Sequence, residues 1–217
     1  MPRGRFITFE GGEGSGKSTQ AKLLAERLRS SGIDVVLTRE PGGTPFAEQV
    51  RDLLLGPNIA PHEALAEALL FYAARADHLA RVIRPALKAG KWVICDRFSD
   101  STHVYQNLAG ELSHAAFIAL ERLVVAPTTP DLTCILNIPA EEGLRRVEDR
   151  RLAAAPTGAD RYEARKLEFH RRLQDGFLKV AAADPNRCVV IDATGERAAV
   201  AARVWTAVEQ RLLAGES

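Results

Sequence analysis

The chain has 217 residues, of which 46% are hydrophobic and 26% charged, at a net charge of +1. That length suits one domain with a sizeable core. The balanced charge offers no field for nucleic acid or an anionic membrane, and no run approaches the roughly 18 apolar residues of a membrane span.

The first element is Arg5–Glu10 (RFITFE), a β-branched and aromatic run that predicts a strand. Gly11-Gly12-Glu13-Gly14-Ser15-Gly16-Lys17-Ser18 follows and fits G-x-x-x-x-G-K-[ST], the P-loop. Behind it, Ala21, Leu24, Ala25 and Leu28 recur at helical spacing, predicting a helix over Thr19–Leu28. The motif therefore lies between a strand and a helix, where its physics requires it. Its glycines let backbone N–H groups turn inward around phosphate oxygens, and the helix N-terminus adds partial positive charge. Gly11 to Thr19 are the expected nucleotide-binding residues, with Lys17 on the β- and γ-phosphates and Ser18 on Mg²⁺.

Ile33–Thr38 predicts a second strand, ending in Arg39-Glu40-Pro41-Gly42-Gly43. Thr44 then suits a helix N-cap, with Pro45 at the first helical position and a helix to about Leu55. His62–Lys88 predicts two helices or one long one, ended by Gly90. Lys91–Cys95 is a short apolar strand with Asp96-Arg97-Phe98 at its C-terminal end. Ser99–Gln106 predicts a loop or helix lining a cleft, and Ser113–Val125 a helix. Asp131–Ile138 is the fourth strand, and Pro139–Arg151 a helix leading into the small-residue stretch Leu152–Ala159, expected to be mobile. Arg161–Ala182 returns to helix, Arg187–Ile191 is the fifth strand, and Glu196–Leu213 closes the chain as a helix.

Strand and helix thus alternate five times, and four of the strands are short, nearly continuous apolar runs. This predicts an α/β fold: one domain over residues 1–217, with a five-stranded parallel sheet covered by helices on both faces. In such folds ligands bind beyond the carboxyl ends of the strands, so the P-loop, Arg39-Glu40, Asp96-Arg97 and the loop after Ile191 should share one edge. Cys95, Cys134 and Cys188 lie in strand-like runs and read as buried free thiols, which fits a reducing cytoplasm. The first strand begins so early that no signal peptide is expected. The five histidines show no metal-ligand spacing and are expected at the surface or at caps.

A P-loop binds a nucleoside triphosphate without specifying where the phosphoryl group goes. No Asn-Lys-x-Asp sequence is present for guanine recognition, and a motor ATPase usually carries more chain. Transfer to a small acceptor needs a second anion site and a lid that excludes water. Arg39 and Arg97 could cradle an acceptor phosphate through planar, permanently charged forks, or form salt bridges with Glu40 and Asp96. Asp96 stands where an acidic residue would steady Mg²⁺. Nine Arg and Lys residues lie between Leu144 and Arg172, around an arginine-rich lid segment of about 144–165 in which Arg150 and Arg161 flank the small-residue stretch. There they could stabilise charge on the transferring group. Phe71 and Arg75 share a helix face at i,i+4 spacing; by pattern alone Phe71 reads as core.

Taken together, these stretches resemble the bacterial thymidylate kinases, a family of P-loop nucleoside monophosphate kinases. The likeness rests on Phe9-Glu10-Gly11 through Thr19, Arg39-Glu40-Pro41-Gly42-Gly43-Thr44, Phe71-Tyr72-Ala73-Ala74-Arg75, Asp96-Arg97-Phe98, Ser101-Thr102 and Tyr105-Gln106. It implies ATP- and Mg²⁺-dependent conversion of dTMP to dTDP by a cytoplasmic homodimer. Phe71 would stack on thymine, Arg75 would bond its O4 edge and Gln106 the remaining edge. Tyr105 would press on the sugar, Glu13 would lie near the 3′-hydroxyl, and Arg39 and Arg97 would hold the 5′-phosphate, with Ser101 nearby. With no arginine in the P-loop, the lid would supply the catalytic one, from Arg146, Arg150 and Arg161. Asn107 and Glu111 depart from the Gly and Arg usual in that family.

Overall fold

Five strands form one all-parallel sheet in the order β2-β3-β1-β4-β5: β1 (Phe6–Glu10), β2 (Val35–Arg39), β3 (Trp92–Asp96), β4 (Leu132–Asn137) and β5 (Cys188–Asp192). The predicted strand count and sheet type are both observed in this computed structural model, which describes residues 4–56, 59–153, 162–163 and 165–214.

β1 is the central strand because both its faces are apolar. Ile7 and Phe9 pack with α1 (Lys17–Ser30) and α9 (Arg197–Val208), whereas Phe6 packs with α3 (Ala64–His78), α4 (Arg84–Lys88) and α6 (His114–Leu120). It pairs with β3 through Phe6↔Val93 and with β4 through Ile7↔Leu132. The chain winds from β1 outward to β2 and later crosses from β3 to β4 on the other side of β1, so the sheet's winding reverses beside the C-terminal end of β1, opening a crevice where the P-loop begins.

Thr44 caps α2 (Pro45–Leu55) by accepting from Ala47 N at 3.1 Å, as expected. The 62–88 region is one helical run: α3 passes through a π turn (Leu79–Ile83) into α4. Pro85 has no N–H for the Arg81 carbonyl and its ring crowds that turn, so the backbone widens just ahead of it. The 99–106 stretch is helical, α5 (Ser99–Thr102) followed by a π turn (His103–Leu108). A half-buried fork fastens α5 to the sheet. Arg187 donates to Asp100 at 2.6 and 3.1 Å and to Thr133 Oγ1 at 2.7 Å, while Thr133 meets Thr8 at 2.8 Å.

α7 (Ala140–Ala153) runs to the lid segment. Its Gly143 touches the P-loop backbone: a Cβ on Gly14 would lie 2.0 Å from the Gly143 carbonyl oxygen. The sequence reading started the next helix too early. α8 spans Leu167–Ala183, and Tyr162–Glu163 form a turn before it. Tyr162 packs edge-on to Tyr105, ring centroids 5.2 Å apart, which keeps that turn against the body of the protein. Most of the small-residue stretch, and Arg161, lie outside the described residues. Cys95, Cys134 and Cys188 are buried and free, and among the described residues no helix is long and apolar enough to cross a membrane.

Candidate active site

A cleft of about 640 Å³ opens over the C-terminal ends of β1, β2 and β3, large enough for small-molecule ligands. The sequence-predicted residues Glu13 to Thr19, Arg39, Phe71, Arg75, Asp96, Arg97, Ser101, Tyr105, Gln106 and Arg150 all line it. Gly11 and Gly12 instead offer carbonyls to Lys17 Nζ, at 3.1 and 2.7 Å.

At the P-loop, Gly16 is the N-cap of α1 in a left-handed conformation (φ 91°), and no side chain caps the helix. The first-turn N–H groups are thus left to an anionic ligand. Lys17 is pushed down to about 8, first by burial and then by the Arg97 guanidinium. Ser18 Oγ donates to Asp96 Oδ2, and Asp96 Oδ1 is buried without a hydrogen-bond partner among the described residues.

On the next strand end, Arg97 has φ 68°, a conformation unfavourable for a residue with a Cβ. Its side chain explains what holds it there. Nη2 donates to Glu13 at 2.7 Å, Nη1 to the Gly11 carbonyl at 3.2 Å and to Ser101 Oγ at 3.1 Å. Tyr105 donates its hydroxyl to the same Glu13 oxygen at 2.6 Å. Burial opposes the Glu13 charge, but Arg97 and Lys17 outweigh it and lower the carboxyl to about 2. Behind this cluster Glu10 accepts from Phe98 N at 2.8 Å and Ser101 Oγ at 2.5 Å. Burial, then the Asp100 charge, raises it to about 8.

The far wall is built on α3. Arg75 is 2% exposed. Its Nε donates to Glu40 at 2.7 Å and its Nη2 to Thr102 Oγ1 at 3.0 Å, while Nη1 is buried without a partner among the described residues. Glu40 also meets His78 Nδ1 at 2.9 Å, and His78 Nε2 meets Thr38 Oγ1 at 2.7 Å. Phe71 is half-buried, one side on Ala47, Val50 and Leu54, the other on the cleft. It serves the core and the site at once. Gln106 Nε2 donates to Glu67 Oε1 at 2.9 Å and to the Tyr162 hydroxyl at 3.0 Å.

The salt bridges weighed as the alternative reading of Arg39 and Arg97 do not form with their neighbours, and one expectation is corrected. Arg39 pairs with Glu48 (3.0 Å) rather than Glu40, and Arg97 with Glu13 rather than Asp96. The Arg39 side chain turns back over α2, and Arg97's left-handed backbone aims it at the P-loop. His78 and His170 are buried rather than superficial. His78 lies under the cleft because Glu40 and Thr38 satisfy both ring nitrogens. In the lid segment, Arg146 donates to the Ala193 carbonyl (3.1 Å) and Glu142 (2.6 Å), and Arg150 to Glu163 (3.1 Å). Sequence reasoning missed Arg51, Tyr162 and Arg197 on the cleft wall and Glu67 behind it. Only Glu67 carried a signal, four residues before Phe71 on the same helix face.

A family model described as thymidylate kinase matches residues 9–204. The chain is 53% identical over 215 residues to a thymidylate kinase of Nitrobacter winogradskyi, covering 99% of this chain and 92% of that protein. It is 50% identical to one from Caulobacter vibrioides, covering 98% and 99%. Among solved structures, thymidylate kinase from Ehrlichia chaffeensis is similar with a TM-score of 0.75 and 37% identity, over 94% of this chain and 98% of that one.

Proposed function

The chain belongs to the thymidylate kinase family, and on that premise we propose that it transfers the γ-phosphoryl group of ATP to dTMP, giving dTDP and ADP. An oxygen of the acceptor's 5′-phosphate attacks the γ-phosphorus in line, and the β,γ-bridging oxygen leaves with ADP. Little covalent chemistry is asked of the protein; positioning and charge stabilisation carry the rate.

The observation that carries this reading is the far wall. Arg75 presents a buried N–H, unpartnered among the described residues, on a cleft that also holds a P-loop. Such a donor is costly to bury unless a ligand acceptor completes it, and thymine O4 is one. Phe71 stacks on the base, and Gln106 meets its N3 edge. Tyr105 occupies the sugar side, and Glu13, ionised at neutral pH, accepts from the 3′-hydroxyl. Arg39 and Arg97, with Ser101 and Arg51 close by on the cleft, hold the 5′-phosphate. Arg97 stays charged because Tyr105, Glu13 and Asp96 outweigh the effect of burial.

On the donor side, Lys17 and the α1 N-terminus hold the ATP phosphates. The Ser18 hydroxyl and the Asp96 oxygen left unpartnered among the described residues form an all-oxygen pair that suits Mg²⁺. When bound there, Mg²⁺ neutralises phosphate charge. Arg150, and Arg161 outside the described residues, supply positive charge to the transferring phosphoryl group. Exposed Leu65 and Leu69 on α3 and exposed Leu123 near it make an apolar face for a homodimer. The buried free thiols suit the cytoplasm.

The test is ADP release from Mg-ATP with dTMP, dUMP, dCMP, UMP, CMP, AMP and GMP in turn. Strong stimulation by dTMP, less by dUMP and little by ribonucleotides is expected. Stimulation by a purine monophosphate alone would overturn the base assignments, and none by any acceptor would overturn the kinase reading.

A further inference from the structure

We infer that Glu67 fixes the sense in which the Gln106 amide meets the nucleobase, and is thereby a positioning residue for discrimination between thymine and cytosine. The inference rests on the proposed dTMP reaction.

A carboxamide carries a donor and an acceptor on nearly equal shapes. Either end can face a ligand unless the surroundings choose. Here the surroundings choose. Glu67 is buried behind Gln106. An ionised carboxylate only accepts, so it takes the NH₂ end of Gln106, at 2.9 Å. The Tyr162 hydroxyl donates to the same Glu67 oxygen at 2.6 Å, which leaves its own oxygen to accept the second Gln106 N–H at 3.0 Å. Both Gln106 donors are therefore committed. The amide oxygen takes no hydrogen bond from the described residues, and Gln106 lies on the cleft wall.

The second Glu67 oxygen faces His62 Nε2 at 2.8 Å, and His62 Nδ1 faces the Ala60 carbonyl at 2.8 Å. The carboxylate is thus held from both sides. Its effect is to set an acceptor, Gln106 Oε1, on the same wall as a donor, Arg75 Nη1. The pair matches a base edge offering a carbonyl at C4 and an N–H at N3. Cytosine presents the reverse at both positions, an amino group and a bare nitrogen. If the Gln106 amide could turn over, its NH₂ would donate to cytosine N3 and half of the discrimination would vanish. Tyr162 precedes α8 and follows the lid stretch, so base reading and the lid's return share one acceptor.

The experiment compares kcat/KM for dTMP and dCMP in the full-length wild type and in three variants. Glu67→Gln keeps the shape but can donate as well as accept, and Glu67→Met keeps the volume without an acceptor. Both should lower the dTMP-to-dCMP ratio about tenfold, mainly through KM for dTMP, with KM for ATP unchanged. Glu67→Asp keeps an acceptor-only group and should retain most of the ratio. Should one variant fail to fold, the other two still decide. Equal losses for dTMP and dCMP, leaving the ratio intact, would overturn the inference and make Glu67 merely structural. A wild type that does not phosphorylate dTMP would overturn the functional reading itself, before any variant is measured.

Discussion

Replacing Glu40 by leucine should destabilise the fold strongly, and a second replacement should partly undo the damage. Glu40 is 5% exposed and Arg75 2%, and their contact is 2.7 Å, so solvent does not screen the pair. Glu40→Leu leaves a buried guanidinium whose one remaining hydrogen bond among the described residues is to the Thr102 hydroxyl at 3.0 Å, and removes the partner of His78 Nδ1. Removing one member of a buried ion pair costs about 3–5 kcal/mol. With a urea slope of about 2–3 kcal/mol per M for a chain of this size, the unfolding midpoint should fall by about 1–2.5 M. Glu40→Leu/Arg75→Leu removes both charges and should recover at least about 1 kcal/mol relative to the single variant. Use of dTMP should stay lost in both, because the base-facing N–H is misplaced in one and absent in the other. Urea melts followed by circular dichroism, with ADP release alongside, measure both properties. A single-variant loss under about 1 kcal/mol, or a double variant as unstable as the sum of its parts, would refute the buried-pair argument.

Lys17→Ala should lower kcat at least about 100-fold while leaving the circular dichroism spectrum intact, since its Nζ bonds only loop atoms in the fold; retained turnover would remove the P-loop lysine from the mechanism. Asp96→Asn should raise the Mg²⁺ concentration needed for half-maximal rate, read from a Mg²⁺ titration at fixed ATP; an unchanged requirement would exclude Asp96 from the metal's surroundings. Glu10 holds its proton to about 8 in the fold against an ordinary value of 4.5. The unfolded chain gives that proton up first, so this residue's contribution to stability falls as pH rises from 4.5 towards 8. Glu10→Gln should therefore gain on the wild type across that window in urea melts, and a constant difference between the two would contradict the shift. Glu13 has the opposite sign: lowered to about 2, its contribution is present above 4.5 and lost as pH falls towards 2.

The sheet, its five strands and the cleft at their carboxyl ends were legible in the sequence. Apolar runs separated by helical periods admit few arrangements, and the P-loop marks the central strand. Many of the residues lining the cleft were also legible, from their place just past a strand or from the family resemblance, but Arg51, Tyr162 and Arg197 were not. Arg39, Arg97 and His78 show where that legibility ends. Each has a carboxylate partner, but the partners stand 9, 84 and 38 residues away in the chain. Neighbouring acidic residues were the wrong candidates, since β2 and β3 carry their side chains away from adjacent positions. The start of α8 was misplaced for a related reason: Tyr162 is held by Tyr105 and Glu67 from other elements, and local helical spacing cannot register that pull. By itself, then, the sequence determined the order of elements and many of the residues that reach the cleft, because periodicity and loop chemistry are local. The tertiary structure alone decided which donor and acceptor of each side chain remain free for a ligand, because that depends on partners brought together by the sheet.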